Sequence, residues 1–211
     1  MSGFIRPPPF APGQRIGVLG GSFNPPHAGH VLVSELALRK LGLHRVWWLV
    51  TPGNPLKSPT ELAPVSERLV AARALIRDPR IVVTDVEAQL RFRFTCDTLD
   101  WLRKRTPGVD LVWIMGADNL RQFHLWRRWR EIAAAMPMLV VDRPGSTLRA
   151  AFGHAGATLA AKRIPDRDAR LLPSAAPPAW LFLHGPRSAL SSTLLRRRKS
   201  FVKKNDNSKT S

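Results

Sequence analysis

An α/β fold, in which a doubly wound parallel sheet carries helices on both faces in a single domain, is predicted by three observations. Short, continuous apolar runs (RVWWLV, LVWIMG, MLVV, WLFL) recur along the chain, and segments of helical periodicity separate them. Strands that are apolar throughout, rather than alternating, belong to sheets covered on both sides. The length of 211 residues suits one such domain and is enough for a sizeable core.

The elements follow in order. Residues 1–14 are Pro-rich and lack the apolar stretch of a secretory signal, so a disordered lead-in is expected there. The domain is expected over 15–200 and a basic disordered tail over 201–211. Arg15 to Leu19 reads as a strand running into Gly20 and Gly21. Ala28 to Leu41 reads as a helix with Val31, Leu32, Leu36 and Leu41 on one side and Gly42 as its stop. Arg45 to Thr51 is a buried strand, and a Pro-rich loop follows. Then come a helix over Val65 to Arg77, a strand over Ile81 to Val86, and a helix over Thr95 to Arg105. Leu111 to Gly116 is a strand, Asn119 to Met136 one or two helices, and Met138 to Gly145 a strand. Residues 153–178 are weakly patterned. Ala179 to Gly185 is the last strand and Ser191 to Lys199 the last helix. The alternation is Rossmann-like, and ligands of such sheets bind beyond the carboxyl ends of the strands.

A net charge of +18 favours anionic partners. A nucleic-acid-binding role for the tail would need interleaved aromatics, and Phe201 alone interrupts it, so nucleic acid is disfavoured. No run of 18 apolar residues is present, which argues against a membrane span, and the single cysteine fits a reducing, cytoplasmic compartment. Cys96 is the only cysteine, so no intrachain disulfide forms, and a structural role suits it better than a nucleophilic one. A homo-oligomer is compatible with all of this.

The segment GGSFNPPHAGH follows the first strand. Gly20 and Gly21 let a backbone approach phosphate closely, and the helix start beyond them offers unpaired N–H groups and a positive dipole end. His27 and His30 stand three apart and share a face, where two imidazoles can donate to phosphoryl oxygens as charge builds. The glycines do not fit G-x-G-x-x-G, and no G-K-[ST] occurs, which argues against a dinucleotide turn and excludes a Walker-type loop. A zinc site would need a third ligand that is not evident, and a purely structural role for both histidines is the remaining alternative. Far along the chain stands SALSSTLLRRR. Its hydroxyls on Ser191, Ser192 and Thr193 can cap a helix whose N–H groups hold phosphate, with Arg196 in reach of the same anion. Alone this is an ordinary capped helix with a basic surface.

The first segment resembles the signature of the HxGH nucleotidyltransferase superfamily and, within it, of the bacterial nicotinate-nucleotide adenylyltransferases. Ser22 stands where Thr is common and Asn24 where Asp is common. The second segment resembles the superfamily's I-S-S-T-x-x-R, with Leu190 for Ile. RFTCDTL resembles [SY]-T-x-x-T-L, with Phe94 replacing Ser or Tyr, and GADNLRQFHLWRRW and VVDRPG match further family segments. The resemblance spans Arg15 to Lys199 and implies adenylyl transfer from ATP to nicotinate mononucleotide. It assigns His27, His30 and Arg196 to catalysis, and Gly20, Gly21, Ser22, Phe23, Gly116, Asp118, Ser191, Ser192 and Thr193 with them to ATP. Asn54, Lys57, Thr95, Trp126 and Arg143 are assigned to the acceptor, with Thr95 as a helix cap and Trp126 stacking on the pyridine ring. Magnesium is implied as a partner of the ATP phosphates, with no metal ligand among the residues. A related enzyme with another acceptor (nicotinamide mononucleotide, phosphopantetheine or a glycerol phosphate) and a nucleotide sensor without turnover remain the alternatives.

Overall fold

The computed structural model describes residues 5–53, 62–142 and 153–184. Seven strands form one parallel sheet: β1 (Arg15–Gly21), β2 (Arg45–Val50), β3 (Ile81–Thr84), β4 (Asp110–Gly116), β5 (Met138–Val141), β6 (Arg163–Ile164) and β7 (Trp180–Leu183). Their order is β3-β2-β1-β4-β5-β7-β6. The chain steps outward from β1 to β3, then returns to lay β4 along the other side of β1. That reversal makes the sheet doubly wound and opens a crevice at the carboxyl ends of β1 and β4, where such sheets take ligands. Gly20 and Gly21 close β1 and Gly116 closes β4, so two of the motifs end at the crevice.

Successive residues of a strand face opposite sides of the sheet, and here both sides are buried. Trp47 belongs to one apolar cluster with Trp113, Trp180 and Leu99, and Trp48 to the other with Leu36, Ile114 and Leu181. This two-sided burial is why RVWWLV reads as an unbroken apolar run. Helix α1 (Ala28–Leu41) and α2 (Val65–Leu75) cover the Trp48 face. α3 (Val86–Gln89), α4 (Thr95–Arg105), α5 (Ala117–Gln122) and α6 (Trp129–Ala135) place their buried apolar residues in the Trp47 cluster. α1 stops at Gly42, whose φ of 64° is the left-handed value that a glycine adopts freely.

Two expectations differ from what is found, and two open ones are filled in. Residues 5–14, read as a disordered lead-in, pack Ile5 and Phe10 against the core, and Gly13 N–H donates to Gly108 O. Proline content hid these two anchors. β3 ends at Thr84, because Val86 already starts α3. The weakly patterned 153–178 holds α7 (His154–Thr158), β6 and a 3-10 run over Asp166–Ser174, elements too short or too tightly wound to show a 3.6-residue period. Of the one or two helices expected after β4 there are two, α5 and α6, parted just before Trp129 by Arg128, whose φ is 55°. The expected last helix and basic tail lie outside the described residues, and among the described residues no helix is long and apolar enough to cross a membrane.

Candidate active site

The glycines at the end of β1 are needed for a reason the motif alone did not give. A Cβ on Gly20 would fall 2.6 Å from the Trp113 indole, and one on Gly21 3.3 Å from the Phe23 ring. The bare backbone at these two positions is packed by aromatic rings on the side a Cβ would take, while both glycines also line an open cleft. Phe23 itself has φ 45°, a conformation that costs a side chain about 1–3 kcal/mol and persists only where its surroundings hold it. They do: its buried ring stacks on Trp48 at 4.8 Å and lies 4.6 Å from His30.

The two histidines form a reciprocal capping box at the start of α1. His27 is the N-cap, and its Nδ1 accepts the Gly29 N–H at 3.1 Å. His30 Nδ1 accepts the His27 N–H at 3.2 Å. The helix start was expected to leave its N–H groups open, but the imidazoles bind two amides themselves. A neutral imidazole accepting at Nδ1 carries its proton at Nε2. Both rings, 3.9 Å apart and almost wholly buried, are therefore fixed as Nε2–H donors, with their Nδ1 lone pairs engaged by amides rather than offered to a metal. A relay braces them: Trp48 Nε1–H donates to Ser34 Oγ at 2.8 Å, and Ser34 donates to the His30 carbonyl at 2.9 Å.

Arg68 of α2, almost completely buried, ties this loop to its neighbour strand. Its guanidinium donates to the carbonyls of Ser22, Thr51 and Ala63, and burial pushes its pKa below the usual arginine value. Asn24 Oδ1 accepts the Ala63 N–H at 3.4 Å, which secures the same loop from the other side.

Beside the crevice lies a cleft whose wall includes Gly20, Gly21, Ser22, Thr95, Trp126 and Glu87. Phe94, not Thr95, is the N-cap of α4, and it makes no side-chain cap bond. Thr95 therefore occupies the first helical position, and the opening turn of α4 is not capped by a side chain at the cleft. Trp126 is half-buried and meets Phe123 in a T-shaped contact, while Trp129 is core. Gly116 is the N-cap of α5 and Asp118, exposed, sits in that helix's first turn rather than capping it. Neither lines this cleft, nor do His27 and His30. Asn54, Lys57, Arg143, Ser191, Ser192, Thr193 and Arg196 fall outside the described residues. Cys96 is buried, and burial with Asp97 beside it raises the thiol's pKa, as an inert structural cysteine requires.

Glu87 went unnoticed in the sequence because an acid in a short polar stretch looks like surface. It is 6% exposed, and one carboxylate oxygen accepts the Thr98 hydroxyl at 2.7 Å. Burial raises its pKa from 4.5 to about 7, against the opposing pull of Thr98. Between those values the unfolded chain has lost a proton that the folded protein retains, so stability falls as pH rises through the window and levels off above it. Glu87→Gln removes this slope: at pH 8 the variant is expected to exceed the parent by up to about 3 kcal/mol, and at pH 4 to match it, in urea unfolding. An unchanged slope would place the proton elsewhere.

Comparison with known proteins decides the family. The cytidylyltransferase-like family model matches residues 18–198. A protein of Methylorubrum extorquens named "probable nicotinate-nucleotide adenylyltransferase" is 59% identical over 88% of this chain and 100% of its own length. One of the same name from Mesorhizobium japonicum is 55% identical over 88% of this chain and 95% of its own. The chain belongs to the nicotinate-nucleotide adenylyltransferase family. In fold it is similar to the Plasmodium falciparum nicotinic acid mononucleotide adenylyltransferase, solved in complex with NaAD, at a TM-score of 0.66 and 16% identity over 87% of this chain and 83% of that one. Membership in the family makes the chain a nucleotidyltransferase. Within this member, Arg68 and Glu87 are the residues that motif reading missed. For Arg68 the signal available was a charged residue at a position where the period of α2 calls for an apolar one; the four-residue α3 offers no such signal for Glu87.

Proposed function

We propose that this chain transfers the adenylyl group of ATP to nicotinate mononucleotide, giving nicotinate adenine dinucleotide and pyrophosphate, a step of NAD biosynthesis. The observation that carries the reading is the cleft at the end of β1, where Gly20 to Ser22, the start of α4 and Trp126 share one wall. A flat indole suits a flat pyridine ring. The opening amides of α4 and their dipole suit an anionic substituent on that ring.

The acceptor phosphate attacks the α-phosphorus of ATP; a new P–O bond forms there, the bond to the bridging oxygen breaks, and pyrophosphate leaves. A phosphate monoester has its second pKa at about 6 and is already largely dianionic, so no general base is required. Alignment and charge stabilisation remain as the protein's work. His27 and His30, fixed as Nε2–H donors, are assigned to the ATP phosphates, with His30 at the α-phosphoryl group. Ser192, Thr193 and Arg196 are assigned to the β- and γ-phosphates, Lys57 with Asn54 to the acceptor phosphate, Asp118 to the ribose, and Arg143 to a second anion contact. Magnesium would neutralise the ATP phosphates. Such an ion would be held mainly by phosphate oxygens and water.

An acceptor panel tests this. With ATP and magnesium, pyrophosphate release should require nicotinate or nicotinamide mononucleotide, with the nicotinate form preferred. Release with phosphopantetheine or glycerol phosphate instead, or with no acceptor at all, would reject the assignment.

A further inference from the structure

Two arginines, Arg93 and Arg127, stand on the wall of the acceptor cleft. Arg127 lies with its guanidinium carbon 4.7 Å from the centre of the Phe94 ring, and Phe94 is the N-cap of α4. The ring thus holds a planar cation directly beside the helix start proposed to meet the acceptor's ring substituent. Stacking on an aromatic face limits the rotamers that a long exposed side chain would otherwise explore. Its sequence neighbour behaves differently: Arg128 is committed to Glu131 and Asp100. Among the described residues no carboxylate stands within ion-pair distance of Arg127. The acid on the same wall, Glu87, is engaged by the Thr98 hydroxyl, and burial pushes its pKa up to about 7, which weakens it as a counter-charge for the cation.

We infer that Arg127, held over the Phe94 ring, is a specificity-determining residue that reads the ring substituent of the acceptor and favours a pyridine carboxylate over a carboxamide. The inference rests on the proposed reaction. Its chemistry is that of a guanidinium fork, which matches the two oxygens of a carboxylate; a carboxamide offers one acceptor and turns its NH₂ donors toward a group that has only donors. A charge-assisted hydrogen bond of this kind is worth a discrimination of about tenfold or more.

The test compares kcat/KM for nicotinate and nicotinamide mononucleotide in the parent, Arg127→Gln and Arg127→Lys. Arg127→Gln should lower the acid-to-amide ratio by about tenfold or more, nearly all of it lost on the acid. Arg127→Lys should recover part of the ratio, since charge returns without the planar fork. An equal fall on both acceptors would show that Arg127 meets the phosphate they share, and a ratio unchanged by Arg127→Gln would remove it from recognition; either overturns the inference while leaving the reaction intact. A parent that turns over neither acceptor would overturn the reaction and the inference together.

Discussion

Replacing His30 by alanine is expected to lower kcat by about 100- to 1,000-fold, the usual cost of losing one donor aimed at charge that develops in a transition state. The effect should fall on kcat more than on the KM for ATP, because the proposed contact strengthens only as the α-phosphoryl group acquires charge. Folding must be followed in parallel. His30 is buried, its Nδ1 holds the His27 amide, and its ring lies against Phe23. Loss of the capping contact alone should cost about 1 kcal/mol, which shifts the thermal midpoint by a few degrees without unfolding the protein at 25 °C. Near-normal turnover in a folded variant would take His30 out of the mechanism and leave the capping box as a purely structural device.

The second large effect is on stability. Arg68→Met is expected to cost about 3 kcal/mol, seen as a thermal midpoint lower by about 6–12 °C. The methionine fills much of the same volume, yet the carbonyls of Ser22, Thr51 and Ala63 lose their donor together. Arg68→Lys should recover little, because an ammonium on a single stem does not span three acceptors set by a planar fork. Since Ser22 belongs to the cleft wall, turnover should fall along with stability. A loss below about 1 kcal/mol would show that the loop is held without this brace.

The central strands were legible because they are apolar on both sides of the sheet, whereas β6, the pair Arg163–Ile164, was not. Trp47 and Trp48 enter different clusters, and the run that contains them admits no other placement. Gly42 was legible for a similar reason, since a helix that ends in the left-handed region calls for glycine. The roles of Gly20 and Gly21 were not. The sequence places them in a turn-like motif, but the indole of Trp113, brought alongside by β4, is what excludes a Cβ at Gly20. The capping box was hidden because histidine is not a usual cap, and its geometry depends on both rings being buried together. Arg68 and Glu87 were hidden because partners that make a buried charge tolerable come from distant segments: Ser22 and Thr51 for one, Thr98 for the other. Thr95 was placed correctly on α4 but one position too early, since Phe94 holds the cap site without bonding through its side chain.

The most direct measurement follows the α-phosphorus of ATP. With α-labelled ATP, magnesium and nicotinate mononucleotide, the label should appear in a dinucleotide resistant to phosphatase, in step with one pyrophosphate released per label transferred. Label recovered as free AMP, or label remaining in ADP while the γ-phosphate moves to the acceptor, would contradict adenylyl transfer.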